Sequence, residues 1–146
     1  MEKIVIGSDH GGFALKEILI KALKKRSCEV IDVGCFDQSF AHYPEIGRLT
    51  AEHILSGKCE RGILICGTGI GMSIAANRYL GIRATLCHDH LTAKLSREHN
   101  NSNILVLGGR LLGDIKAIDI MDAWLNTKFQ GDRHQTRLEM IDQITS

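Results

Sequence analysis

The sequence predicts a single α/β domain: a five-stranded parallel sheet with helices on both faces. Three observations carry this reading. Five short apolar runs alternate with stretches of helical periodicity, and each right-handed crossover between parallel strands must lay its helix on the sheet. Small polar and glycine-rich segments follow the runs, as expected for loops at the carboxyl edge of an open α/β sheet. The 146 residues show no repeat, low-complexity stretch or linker, so one domain covers 1–146.

Lys3 to Gly7 is the first strand, followed by the loop Ser8-Asp9-His10-Gly11-Gly12. Phe13, Leu15, Ile18, Leu19, Ala22 and Leu23 then recur at helical spacing up to Lys24-Lys25-Arg26, a basic end that suits the helix dipole. Glu29 to Val33 is the second strand, ended by Gly34. A longer loop through Asp37, Ser39 and His42 leads to Tyr43-Pro44, the one proline, placed at the first turn of a helix. That helix runs to about Leu55 and stops at Ser56-Gly57.

Ile63 to Ile65 is too short an apolar run for a helix and reads as a buried third strand. It stops at Cys66 and the turn Gly67-Thr68-Gly69-Ile70-Gly71, after which Ser73-Ile74-Ala75-Ala76 opens a helix. Glycines at 67, 69 and 71 allow positive φ and a close backbone approach to a ligand, with helix N-terminal amides pointing back at the turn. Ile82 to Leu86 gives a fourth strand, Leu91 to Glu98 a helix and Ile104 to Leu107 a fifth strand. Ile115 to Leu125 is a helix, and a last short one covers about 133–144.

Composition narrows the function classes. With 44% hydrophobic and 24% charged residues the chain is an ordinary soluble globular domain. A net charge of +1 argues against nucleic acid as the main partner. The first residues carry an acid and too short an apolar run for a signal peptide, and no segment approaches membrane-spanning length, so the cytoplasm is expected. Five cysteines without a C-x-x-C pair favour neither a disulfide framework nor a metal site, and no cofactor is implied.

Two nucleotide motifs fail. The dinucleotide fingerprint needs a glycine where Met72 stands, although Asp89 mimics its ribose-binding acid; a phosphate loop of the Walker type needs a lysine that Gly67-Thr68 lacks. The glycine turn alone is compatible with tight strand-to-helix packing. Cys66 sharpens it. A free thiol, with an ordinary pKa of about 8.5, is only a few per cent ionised at neutral pH, and helix N-terminal amides favour the thiolate. Cys66 is therefore a candidate base or nucleophile, while Cys28, Cys35 and Cys59 read as small apolar fillers.

A second cluster is Arg133-His134-Gln135-Thr136-Arg137, opening the last helix after Asp132 as its expected N-cap. Arg133 and Arg137 share a face and oppose the helix dipole, costs that a bound anion relieves. The alternative is a solvated basic face with Glu139 as local partner.

Over essentially its whole length the chain resembles the B-type ribose-5-phosphate isomerases and the related galactose-6-phosphate and allose-6-phosphate isomerases. The matching residues are Gly7 to Gly12, Tyr43-Pro44, Ile65 to Gly71, Leu95-Ser96-Arg97-Glu98-His99-Asn100, Gly108-Gly109-Arg110 and Gly131 to Arg137. The resemblance implies a Rossmann-like α/β/α sandwich with strand order 2-1-3-5-4, a homodimer alone or paired into a tetramer, no metal, and aldose-ketose isomerisation of a sugar phosphate. By resemblance Cys66 is the base that takes the C2 proton. Relatives without this cysteine use a nearby glutamate, but Met72 and Ser73 offer no carboxylate here. Thr68 and the amides of Gly67, Gly69 and Gly71 would hold the developing oxyanion, and Asp9 and His99 would move protons during ring opening. His10, Arg110, Arg133, His134 and Arg137 would bind phosphate, and Tyr43 and Asn100 would orient the sugar.

His99 ends the helix after strand four, which places it at the amino edge of the sheet, opposite Cys66. The short run Asn100 to Asn103 leaves no loop to reach back. Sequence thus predicts that His99 and Asn100 complete the site of a neighbouring subunit, against the alternative of a histidine serving only the helix C-terminus. The leading function is ribose-5-phosphate isomerisation. A hexose-phosphate isomerase is the alternative, with the space around Tyr43 and the 87–90 loop as discriminator, and a non-catalytic sugar-phosphate or nucleotide sensor comes third.

Overall fold

A computed structural model describes residues 1–144 of the chain. Its elements run β1 (Lys3–Ser8), a short 3-10 turn (His10–Gly12), α1 (Phe13–Lys25), β2 (Glu29–Asp32), α2 (Tyr43–Leu55), β3 (Arg61–Cys66), α3 (Ile70–Ala76), β4 (Ala84–Leu86), α4 (His90–Asn100), β5 (Ile104–Gly108), α5 (Asp114–Asn126) and α6 (Arg133–Asp142). The five strands form one sheet in the order β2-β1-β3-β5-β4, and every pairing is parallel. This is the expected α/β sandwich.

Period-two alternation along the strands divides the core into two. Ile4, Ile6, Ile63, Ile65, Leu105 and Leu107 pack beneath α1 and α5 with Leu19, Leu23, Ile120 and Trp124. Leu64, Cys66, Ile104 and Val106 face the other way, onto Ile46 and Ala51 of α2 and Met72 and Ala76 of α3. Cys66 thus ends β3 on the side of α2 and α3. Trp124 is fully buried, and its indole N–H donates to Ser102 Oγ at 3.0 Å, the partner a buried indole needs.

Some boundaries differ from the sequence reading. β4 begins at Ala84 and not at Ile82, because Ile82 N donates to the Tyr79 carbonyl and closes a turn. α3 begins at Ile70, before Ser73, immediately after the turn. α4 continues to Asn100, where Asn101 in the left-handed conformation (φ 46°) ends it. Among the described residues no helix is long and apolar enough to cross a membrane.

Candidate active site

The loops after β1, β3 and β5 are tied together backbone to backbone. Gly109 N donates to the Cys66 carbonyl (2.8 Å), Arg110 N to that of Gly67 (2.9 Å) and Asp9 N to that of Ile65 (3.2 Å). Ser8 N and the Ser8 carbonyl bond to Gly34 and Cys35, which adds the loop after β2. The close contacts dictate glycine. A Cβ on Gly109 would lie 2.7 Å from the Gly11 carbonyl oxygen, a backbone atom that cannot swing aside.

In the turn after β3 the three glycines serve different ends, which corrects the expectation of shared positive φ. Only Gly69 is left-handed, at φ 83°. Gly67 gives room to the Arg110 side chain, and a Cβ on Gly71 would come within 2.8 Å of the Tyr43 ring. Cys66 is 5% exposed beneath this turn. Thr68 Oγ1 accepts from Ile70 N at 3.3 Å, while the amides of Gly67, Thr68 and Gly69 have no acceptor among the described residues. Free donors beside a thiol make a setting for a developing oxyanion.

Asp9 is buried. Its Oδ1 accepts from Gly11 N (2.9 Å) and Gly12 N (3.2 Å), leaving Oδ2 without a partner among the described residues. His10 Nδ1 accepts from Ala41 N at 3.3 Å, which places the proton of the neutral ring on Nε2. Phe40 packs against His10, centroids 5.0 Å apart, and meets His42 edge-on at 4.8 Å. Neither Phe40 nor Ala41 stood out in the sequence, where an aromatic in a polar loop is the one available signal.

Lys16 and Asp32 were missed as well. Lys16 is completely buried, with Nζ 2.7 Å from both Asp32 oxygens, and Asp32 Oδ1 also accepts from Gly34 N at 2.9 Å. This pair fixes the start of the loop that carries Phe40 and leads to Tyr43. Its signal in sequence was a lysine within the apolar stripe of α1.

The remaining candidates gather elsewhere. The Asn103 carbonyl, just beyond α4, accepts from Gly62 N at 2.9 Å; Gly62 lies four strand residues before Cys66, about 13 Å at a rise of about 3.3 Å per residue. His99 therefore sits at the amino edge of the sheet, as its place at the end of α4 predicted, and Asn100 beside it is exposed. α6 joins this end, for Gln130 N donates to the Glu98 carbonyl and His134 stacks on His99 with centroids 4.3 Å apart.

Asp132 precedes α6, but its backbone (φ 52°, ψ −124°) keeps its side chain from capping the helix, contrary to expectation. Arg133 and Arg137 are exposed and pair with no carboxylate among the described residues. Glu139 instead accepts from Gln135 Nε2 at 3.2 Å. His134 is 4% exposed, and its Nε2 has no partner among the described residues. Burial lowers its pKa, and Arg133, His99 and Arg137 push it the same way.

One chain thus brings Cys66, Thr68, Asp9, His10, Tyr43, Gly67, Gly69, Gly71 and Arg110 to the carboxyl edge, and His99, Asn100, Arg133, His134 and Arg137 to the opposite end. The 87–90 loop is occupied structurally. Asp89 caps α4 by accepting from Thr92 N at 2.7 Å, Cys87 is buried, and His90 Nδ1 lies 3.2 Å from Asp119. Asp89 is a cap and not a ribose ligand.

A family model described as ribose/galactose isomerase matches residues 4–141. The chain belongs to the ribose/galactose isomerase family. Within that family it is 45% identical over 144 residues to ribose-5-phosphate isomerase B of Escherichia coli, covering 99% of this chain and 97% of the relative. Its fold is similar to that of Clostridium thermocellum ribose-5-phosphate isomerase B, with a TM-score of 0.96, 52% identity, and 97% and 95% of the two chains covered. The Thermotoga maritima ribose 5-phosphate isomerase gives a TM-score of 0.96 at 48% identity, with 98% and 99% covered.

Proposed function

We propose that this ribose/galactose isomerase family member interconverts ribose 5-phosphate and ribulose 5-phosphate through a cis-enediolate, with Cys66 as the base. The observation that carries the reading is the buried Cys66 thiol at the end of β3, directly before a turn whose Gly67, Thr68 and Gly69 amides have no acceptor among the described residues and which Asp9 N, bonded to the Ile65 carbonyl, ties to the Asp9 loop. The names of its relatives support the same substrate class.

In this mechanism Asp9 and His99 transfer the hydroxyl and ring-oxygen protons that open the furanose. The Cys66 thiolate then takes the C2 proton, and its electron pair forms the C1–C2 double bond as the carbonyl oxygen gains charge. Thr68 and the free amides hold that oxyanion. The proton returns to C1 as the O2 hydroxyl gives up its proton to become the carbonyl and the O1 oxyanion takes one to become the hydroxyl, so nothing is oxidised or reduced overall. His10 and Arg110 hold phosphate from one side, and Arg133 and Arg137 from the other. Tyr43 and Asn100 orient the sugar.

The two residue groups lie at opposite ends of one chain, so the reading requires a homodimer, alone or paired into a tetramer, in which each copy lends His99, Asn100 and α6 to its partner's Cys66 cluster. Exposed Ile70 and Ile74 on one face of α3, with Leu111 beside Arg110, supply apolar surface around that cluster for the partner to cover. His134, buried and disfavoured as a cation, acts in this scheme by positioning His99 rather than by charge. The proposed compartment is the cytoplasm, where phosphorylated sugars are retained.

Ketose formation from ribose 5-phosphate tests the assignment, with allose 6-phosphate and galactose 6-phosphate run alongside. Removing a positioned base costs about 10² to 10⁴ in rate, so Cys66→Ala must fall by that much with little change in KM. Wild-type rates on Cys66→Ala would refute the mechanism, and a hexose preferred over the pentose would refute the substrate.

A further inference from the structure

A cavity of about 990 Å³ does not touch the Cys66 cluster. It opens at the amino edge of the sheet, between the start of β1, the turn before β3, the ends of α4 and α5, and Arg83. Its lining is strongly basic. Six lining residues are lysine or arginine, against the two acids Glu2 and Glu60.

Glu60 is exposed, and Glu2 is engaged by Arg61. Glu2 is held by both Nε and Nη2 of Arg61 at 2.6 Å, and Arg61 also donates through Nη1 to the Trp124 carbonyl and through Nη2 to that of Leu125. Arg83 and Arg97 have no carboxylate partner among the described residues. Both are nevertheless fixed in place. Arg83 Nε donates to the Asn101 carbonyl at 2.9 Å, and its two terminal nitrogens have no partner among the described residues. Arg97 donates through Nε to the Thr127 carbonyl (3.2 Å) and through Nη1 to Asn101 Oδ1 (3.0 Å) and the Ser102 carbonyl (2.5 Å), while Nη2 has no partner among the described residues. Carbonyl dipoles orient these guanidinium groups without cancelling their charge.

The local field is accordingly unbalanced. Arg97 is partly buried, and burial lowers its pKa, with Arg61 and Arg83 adding to the effect and Glu2 opposing it, although an arginine stays charged. Lys58 and Lys128 stand exposed at the rim. Two anchored forks with free N–H groups, flanked by exposed ammonium groups, match the oxygens of a phosphate. A multiply charged anion would also remove the repulsion among the guanidinium groups.

We propose that this cavity is a second anion site, separate from the Cys66 cluster, which takes a small molecule bearing two or more phosphate charges, with Arg83 and Arg97 as its anchors. Its ligand is recognised by charge and by phosphate oxygens, and the cavity is large enough for a nucleotide-sized molecule.

Calorimetric titration of the full chain with inorganic pyrophosphate at low ionic strength tests this. Binding should weaken tenfold or more in Arg83→Gln and in the double variant Lys58→Glu/Lys128→Glu, and should persist in Arg137→Ala. The exposed lysine pair decides the matter if Arg83→Gln, which loses the Asn101 contact, fails to fold. Absence of pyrophosphate binding, or binding lost in Arg137→Ala and indifferent to the other substitutions, would overturn the proposal. The readout is binding, so it stands independently of whether the chain isomerises ribose 5-phosphate.

Discussion

His99 and His134 lie face to face, ring centroids 4.3 Å apart and planes 16° from parallel, joining the end of α4 to α6. His134 is the buried member, and burial with nearby cations lowers its pKa below the ordinary 6.5. Folded protein therefore binds fewer protons at this ring than unfolded protein does. Stability is present above about pH 6.5 and is lost as pH falls toward the lowered folded value. In urea unfolding at pH 7.5 and 5.5, the wild type should lose more stability on acidification than His134→Gln. Equal losses would show that His134 does not carry the effect.

Gly71 and Gly109 make a contrasting pair. A Cβ on Gly71 meets the Tyr43 ring, whose side chain is partly exposed and can shift, so Gly71→Ala should raise KM while leaving the fold intact. A Cβ on Gly109 meets the Gly11 backbone at 2.7 Å, so Gly109→Ala should cost about 1–3 kcal/mol of stability, the usual penalty of overpacking. Paired unfolding and kinetic measurements separate the two outcomes, and a stable Gly109→Ala would contradict the packing argument.

Phe40 supports His10 by ring packing at 5.0 Å. Such contacts are worth about 0.5–1.5 kcal/mol. Phe40→Ala should therefore raise KM for the sugar phosphate about 2- to 12-fold with kcat nearly unchanged. An equal fall in kcat would instead place Phe40 in the transition state.

Lys16→Met leaves the Asp32 carboxylate without its cation. Breaking a fully buried pair costs about 3–5 kcal/mol. The Asp32 side chain keeps 27% exposure, so a smaller loss of about 1–3 kcal/mol is expected in urea unfolding. A neutral substitution would mean that the pair does not anchor the loop after β2.

Much of this fold could be read from the chain because strand and helix periodicities are clean. Ile63 to Ile65 reads as a buried strand, and the alternation that turns Cys66 toward α2 and α3 follows from it. The amino-edge position of His99 was legible too, since Asn100 to Asn103 is too short to turn back. Contacts made by ordinary residues far apart in sequence were not legible. Nothing local marks Lys16 as the partner of Asp32, 16 residues away, or Phe40 as the support of His10. Asp132 misled because cap-forming residue type does not fix backbone geometry; at φ 52° its side chain makes no capping bond to the helix amides.

The shared site is the central claim, and complementation between inactive chains tests it most directly. Cys66→Ala and His99→Ala chains are unfolded together and refolded at equal concentration, and isomerase activity is compared with wild type. Random pairing makes half the dimers mixed, and in each of these one of the two sites receives an intact Cys66 and an intact His99. Activity should return to about a quarter of the wild-type level. Efficient remixing with activity no higher than that of either variant alone would contradict the account.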